Sequence, residues 1–157
     1  MVDEELVEDD QPSLPIEFIA EDVSFPPFFD EQKSLEWLTA IVSLFGSKII
    51  HINYIFCSDE YLLDINQKYL SHDYYTDIIT FPFQQGKRLE SDIFISLERV
   101  AENATDNDVS YQDELLRVMA HGVLHLLGLK DKEDADIMRM RQEEDLAIQA
   151  YYKLVVP

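Results

Sequence analysis

Two histidines four residues apart, His121 and His125, carry the strongest chemical signal of the chain, within the segment HGVLHLLGLKD. The residues before them are strongly helical, so positions i and i+4 lie on one face of a helix, about one turn apart. Two imidazoles placed in this way can bind one metal ion. Histidine pairs at this spacing also arise by coincidence, so the pair alone leaves both interpretations open.

Asp131 is the predicted third ligand of this site. Gly128 stands three residues after His125, where a helix would end. A chain that reverses there could bring Asp131 back beside the two imidazoles. Two histidines and one carboxylate, with a position left open for water, are a ligand set of catalytic zinc. We therefore predict that His121, His125 and Asp131 bind one zinc ion, or another divalent metal.

The residues around the histidine pair favour metal binding over coincidence. Apolar side chains surround the pair on most faces of the predicted helix, which indicates that this helix is buried. A buried polar group without a hydrogen-bond partner costs roughly 1–3 kcal/mol. A metal ion would supply a partner to both imidazoles at once.

Length and composition indicate a globular protein with one domain. The chain has 157 residues, of which 46% are hydrophobic. We expect an acidic, flexible leader over residues 1–14 and a single metal-dependent hydrolase domain over residues 15–157. The only cysteine, Cys57, excludes an internal disulfide framework and fits the reducing cytoplasm. The acidic N-terminus does not resemble a signal peptide, and no apolar run has the ~18–20 residues of a membrane span.

The formal net charge of −20 argues against nucleic acid, since phosphate binding depends on lysine and arginine. Half of this excess lies in the first 30 residues, which carry ten acidic and no basic side chains. Several basic residues lie near the histidine pair in sequence, and these are Arg117, Lys130, Lys132, Arg139 and Arg141. They either form a local positive patch or are solvated helix charges.

Hydrophobic patterning predicts about four strands and five helices, interleaved along the chain. The predicted strands cover residues 16–22, 48–57, 76–83 and 92–96, with the third ending near Pro82 and a polar turn, GKRLE, before the fourth. The predicted helices cover residues 31–45, 58–69, 97–107, 110–127 and 133–152. In the last of these, Glu144 interrupts an apolar stripe. This order predicts an α+β fold, a small mixed sheet covered by helices.

Three segments of the chain resemble a known family. HGVLHLLG resembles the signature H-G-x-L-H-L-x-G-Y-D-H of the YbeY family, the metal-dependent endoribonucleases and rRNA maturation factors of bacteria. INQKYLSHDYYTDIITFPF resembles the family's segment L-N-x-x-[FY]-R…T-D-V-L-S-F, and SDIFISLERV resembles its strand G-D-I-x-I-S. Because order and spacing agree across about residues 50–131, the chain is identified as a member.

The resemblance implies a zincin-like α+β domain that hydrolyses RNA phosphodiester bonds in rRNA maturation and ribosome quality control. Its implied partners are rRNA and the ribosome or ribosomal proteins. The family's metal, usually taken as zinc, is held by three histidines. Two of them match His121 and His125. The third falls on Asp131, because this chain reads L-K-D where the family reads Y-D-H.

Two further departures from the family pattern concern the substrate and the backbone. Leu70 stands where the family has an arginine thought to contact RNA, and leucine cannot bind phosphate. Arg99, Lys68 and His72 are the candidate replacements. Ser91 replaces a glycine at the start of the last strand, which we expect to be a minor backbone adjustment.

Gly122 bears on the reaction class. It occupies the position at which H-E-x-x-H peptidases carry their general-base glutamate, which argues against peptide hydrolysis. We expect it to let backbone or substrate approach the helix. Thr76 and Asp77 match the family's T-D pair. We expect Thr76 to end a loop and Asp77 to orient a neighbouring histidine, with direct catalysis as the less favoured alternative.

Two other function classes remain open. One is a metal-dependent hydrolase of another substrate, such as a peptide. The other is a non-catalytic ribosome-associated binding factor in which the metal is structural, an alternative that the acidic leader and Leu70 favour slightly.

Overall fold

A computed structural model describes residues 14–156, so the predicted leader lies outside the described residues except for Leu14. The strands of this region are β1 (Ile16–Ala20), β2 (Lys48–Cys57), β3 (Ile78–Gln84) and β4 (Arg88–Ser96). The helices are α1 (Glu31–Leu44), α2 (Asp59–Leu70), α3 (Leu97–Asp106), α4 (Tyr111–Leu126) and α5 (Asp134–Lys153). Four strands and five helices, with three of the helices following the last strand, confirm the predicted α+β class.

The four strands form one mixed sheet in the order β1-β2-β4-β3. β1 and β4 both pair in parallel with β2, whereas β3 runs antiparallel to β4 at the edge. Helix α1 joins β1 to β2, and β3 and β4 form a hairpin that turns at Gly86, whose φ is +94°. The predicted small mixed sheet is confirmed.

Three of the four strands differ from the prediction at one or both ends. β1 ends at Ala20, two residues earlier than expected, and β3 begins at Ile78 and not at residue 76. β4 begins at Arg88, inside the expected polar turn, because Leu89 is fully buried and pairs with Ile49 of β2. β3 continues through Pro82 to Gln84. A proline is tolerated there because β3 is an edge strand and its register shifts between Pro82 and Gln84.

The main core lies between the sheet and the layer formed by α1, α4 and α5. Alternate side chains of β2, at Ile52, Tyr54 and Phe56, are completely buried in it. On the opposite face of the sheet, α2 covers a smaller cluster that includes Cys57. Burial, assisted by nearby carboxylates, raises the pKa of the Cys57 thiol to about 12.

Two buried hydrogen bonds position the helices that carry the candidate site. The Tyr54 hydroxyl of β2 donates to the Met119 carbonyl of α4 at 2.7 Å. The Trp37 indole Nε1 of α1 donates to the Ala147 carbonyl of α5, also at 2.7 Å. Each bond satisfies a polar group inside the core and fixes one helix to a neighbouring element.

Gly122 lets α4 lie close to the sheet. A Cβ at this position would lie 3.1 Å from Cδ1 of Ile93 and 3.3 Å from Cδ1 of Ile78. The close approach is therefore to two sheet side chains, and not to backbone or substrate as expected. None of the helices within residues 14–156 is long and apolar enough to cross a membrane.

Candidate metal centre

The end of α4 brings the three predicted ligands together. The helix begins at the N-cap Ser110, whose side chain accepts from the Asp113 N–H. At the other end Gly128 adopts a φ of +110°, and the Leu129 N–H donates to the Leu124 carbonyl at 3.0 Å. The chain reverses after this turn and returns Asp131 to the side of the histidines.

The donor atoms of the three side chains face a common point. The Asp131 Oδ2 lies 3.5 Å from the His121 Nε2 and 3.2 Å from the His125 Nε2. One donor atom from each of the three residues lies within 4.8 Å of the others. Asp131 is 41% exposed and His121 is 23% exposed, so a solvent ion can reach them. Two imidazoles and a carboxylate at this separation fit a divalent transition metal.

The hydrogen bonds of the other ring nitrogens fix the tautomers that metal binding needs. The His121 Nδ1 lies 2.7 Å from the Glu144 Oε2, and the His125 Nδ1 lies 2.9 Å from the Leu129 carbonyl oxygen. A carboxylate and a carbonyl only accept, so each Nδ1 carries the hydrogen and donates. Each neutral ring then keeps its lone pair on Nε2, the atom that faces Asp131. This is the usual arrangement of metal-binding histidines.

Glu144 contacts a proposed ligand, His121, and the sequence alone does not reveal this contact. It lies on α5 with 4% of its surface exposed, and its position in the sequence indicates only a break in an apolar stripe. Its Oε1 accepts from the Arg117 Nη1 at 2.9 Å, while the Arg117 Nη2 donates to Asp145 at 2.7 Å. A carboxylate inside an apolar stripe requires a polar partner in another element. This requirement is the feature of the sequence that could have identified Glu144.

The surroundings of His121 favour its protonated form when no metal is bound. Burial opposes protonation, but the hydrogen bond and charge of Glu144, together with the charges of Asp131 and Asp77, raise the pKa of His121 above its usual value. A metal ion would compete with a proton for the Nε2 of His121. We therefore expect metal binding to weaken as the pH falls.

Asp77 does not make the hydrogen bond predicted for it. Among the described residues, the Nδ1 of His121 donates to Glu144 and the Nδ1 of His125 donates to the Leu129 carbonyl. Asp77 instead lies in the cleft beside His121, immediately before β3, and Thr76 lies in the preceding loop as expected. Burial raises the pKa of Asp77, against the opposing effects of the His121 charge and of two backbone N–H groups.

A cleft of about 310 Å³ opens beside His121. Ile78 and Val118 form part of its wall. The charged groups that line it are four carboxylates and two guanidinium groups, of Asp77, Glu114, Asp131, Glu144, Arg117 and Arg141. Burial raises the pKa of Glu114, although the charges of Arg117 and Arg141 counteract part of this effect. Carboxylates whose pKa is raised accept a proton more readily than ordinary ones at neutral pH.

The three candidate replacements for the missing family arginine do not line this cleft in the described structure. Lys68 pairs with Asp64 at 3.1 Å, Arg99 pairs with Asp59 at 2.7 Å, and the His72 ring stacks on Tyr74. The basic residues near the histidine pair divide into two groups. Arg117 and Arg141 line the cleft, whereas Lys130, Lys132 and Arg139 are exposed side chains outside it.

Comparison with known proteins gives consistent results. A family model described as Endoribonuclease YbeY matches residues 20–152. A protein of Flavobacterium johnsoniae named Endoribonuclease YbeY is 49% identical over 123 residues, which is 78% of this chain and 88% of that protein. A protein of the same name from Porphyromonas gingivalis is 45% identical over 133 residues, covering 85% of this chain and 87% of the relative.

A solved structure shares the fold. The solution structure of TM1509 from Thermotoga maritima superposes with a TM-score of 0.65 at 26% identity. The match covers 88% of this chain and 89% of the Thermotoga protein.

Proposed function

Because the chain belongs to the Endoribonuclease YbeY family, we propose that it hydrolyses RNA phosphodiester bonds with a divalent metal held by His121, His125 and Asp131. The observation that carries this proposal is the convergence of both Nε2 atoms and the Asp131 Oδ2 beside an open cleft. We also propose that the metal is zinc, which suits two imidazoles and one carboxylate. Asp131 in place of a third histidine adds negative charge to the site.

The chain's own residues divide the remaining tasks. When bound, a divalent ion supplies Lewis-acid chemistry, since it polarises a phosphoryl oxygen and acidifies the attacking water. Glu144 and the Leu129 carbonyl hold the two imidazoles in the tautomer that leaves Nε2 free. Glu114 and Asp77 face the same cleft with raised pKa values, so we propose that one of them accepts the proton released by water.

The cellular role follows from the family. We propose that residues 15–157 act as a single domain in the cytoplasm and that the substrate is rRNA during maturation or ribosome quality control. Ribosome association belongs to the same proposal. Peptide hydrolysis is the weaker alternative because position 122 carries a glycine and not the general-base glutamate of H-E-x-x-H peptidases. This glycine packs closely against the sheet.

Cleavage of RNA by the purified, nuclease-free protein tests this function. We expect the wild-type protein to cut single-stranded RNA and His121→Ala to lose at least about 100-fold in rate. Asp131→Ala should lose most of its zinc by elemental analysis, whereas the matched variant Asp106→Ala, at an exposed position on α3, should keep it. Unchanged cleavage by His121→Ala would overturn the proposal.

A Glu114→Gln variant tests proton transfer in the same assay. We expect it to keep its zinc and to lose roughly 10²–10⁴-fold in rate. In the wild-type protein the rate should fall as the pH drops through the raised pKa of the acceptor, because the ionised carboxylate is the active form. If Glu114→Gln retains this acidic limb and its full rate, Asp77 becomes the acceptor.

A further inference from the structure

We propose that Arg141 binds a phosphate of the RNA strand beside the metal site and so positions the scissile bond. The inference rests on the proposed function and assigns a substrate-binding residue to it. Arg141 lies on α5, outside the three segments that resemble the family signature. Its place in the cleft becomes visible only once α5 is folded against α4.

The charge of the cleft creates a need for such a residue. Four carboxylates line the cavity, and two guanidinium groups are the permanent cations among the described lining residues. A phosphodiester that enters the cavity is repelled by these carboxylates unless a cation meets it. The metal offsets part of this repulsion at one end, and an arginine is the side chain best suited to hold a phosphate oxygen pair.

Arg117 is not available for this task. Its Nη1 donates to Glu144 at 2.9 Å and its Nη2 donates to Asp145 at 2.7 Å. Only 20% of its side chain is exposed. Because both terminal nitrogens are committed to carboxylates, and one of these, Glu144, supports His121, Arg117 holds the protein scaffold together and has little capacity left for substrate.

Arg141 has the opposite properties. Its side chain is 61% exposed, and within the described residues its one carboxylate contact is the Glu144 Oε1 at a loose 3.9 Å. That oxygen already accepts from Arg117 at 2.9 Å. Arg141 therefore keeps N–H donors for a ligand while Glu144 limits the positions its side chain can take.

The position of Arg141 matches the path of a strand past the metal. The residue lines the cleft of about 310 Å³ and also the adjoining cavity of about 240 Å³. His121, Asp131 and Glu144 line both cavities as well. A guanidinium at this junction could contact a phosphate next to the one that a bound metal would hold. It supplies from α5 a positive charge that is missing at Leu70 on α2, where the family has an arginine.

RNA binding by the metal-loaded protein tests this assignment. The probe is a fluorescent single-stranded RNA with phosphorothioate linkages, which keep the charge and slow hydrolysis. Arg141→Ala should raise Kd about tenfold and reduce the dependence of log Kd on log salt by about 0.7 per lost contact. Arg141→Lys should recover part of the affinity. The matched control is Arg139→Ala, which removes the same charge from an exposed position of α5 outside the cleft.

The outcomes separate this inference from the proposed hydrolysis, which is measured on unmodified RNA of the same sequence. If the wild-type protein binds and cuts but the two alanine variants bind alike, the role of Arg141 is refuted and hydrolysis stands. If Arg141→Ala weakens binding but the wild-type protein does not cut, the phosphate contact of Arg141 stands and hydrolysis is refuted. Loss of zinc in Arg141→Ala, or no binding by the wild-type protein, overturns the inference.

Discussion

At the scale of single residues, Glu144 connects the candidate metal site to the body of the protein. One carboxylate oxygen accepts from His121 and the other accepts from Arg117. The group is almost fully buried, so it is costly to leave without these partners. The orientation of a proposed metal-binding imidazole therefore depends on a side chain 23 residues away on another helix.

Replacing Glu144 should weaken the metal site without removing a ligand. In Glu144→Gln the amide keeps the size of the side chain but loses the charge that supports His121 and Arg117. We expect zinc affinity to fall about 10–100-fold, as is typical for such supporting partners, and competition with a chromogenic chelator measures it. Glu143→Gln, at the adjacent position, is the control. Equal affinities in the two variants would show that the Glu144 contact does not support the metal.

At the scale of elements, the distance between α4 and the sheet is set by Gly122. The terminal methyl groups of Ile93 and Ile78 occupy the space that a side chain would need. Since His121 precedes this glycine directly, any shift of the helix away from the sheet moves a proposed ligand. Helix position and site geometry are thus linked through one small residue.

The Gly122→Ala variant should destabilise the protein. Alanine gains up to about 1 kcal/mol in helix propensity, but overpacking a core costs typically about 1–3 kcal/mol. We expect a net loss of about 1 kcal/mol, measured by urea unfolding. Ile93→Val removes the closest methyl group, so the double variant should be more stable than the sum of the two single effects predicts. Strict additivity would contradict the proposed contact.

The accuracy of the sequence-based predictions varies with the range of the interactions involved. β2 was predicted over its full extent because β-branched and aromatic residues dominate it, and Ser110 marked the start of α4 through its cap. The start of β4 was missed because polar neighbours hide Leu89, whose burial depends on pairing with β2. The role assigned to Asp77 was wrong because spacing does not reveal which carboxylate reaches an imidazole after folding.

At the scale of the whole molecule, buried contacts join the site to every layer. Tyr54 ties α4 to the sheet, and Trp37 ties α5 to α1. The proposed ligands, by contrast, come from a single stretch of eleven residues, 121–131. Binding of an ion at this stretch should therefore stabilise the cooperative fold as a whole.

Metal removal should lower the thermal midpoint of the entire protein. With free zinc at a hundredfold excess over Kd, the native state gains about 2.7 kcal/mol, which corresponds to roughly 5–10 °C in Tm for a domain of this size. Scanning calorimetry with and without a chelator measures the difference. Asp131→Ala should melt at the same temperature in both conditions. A chelator effect of equal size in that variant would place the ion elsewhere.

The burial of Cys57 has a practical consequence at the bench. With a thiol pKa of about 12, almost no thiolate exists at neutral pH, so air oxidation and dimerisation through sulfur are suppressed. The protein can therefore be purified without dithiothreitol or a similar additive. Such dithiols chelate zinc, and leaving them out preserves the metal occupancy that an elemental assay has to count.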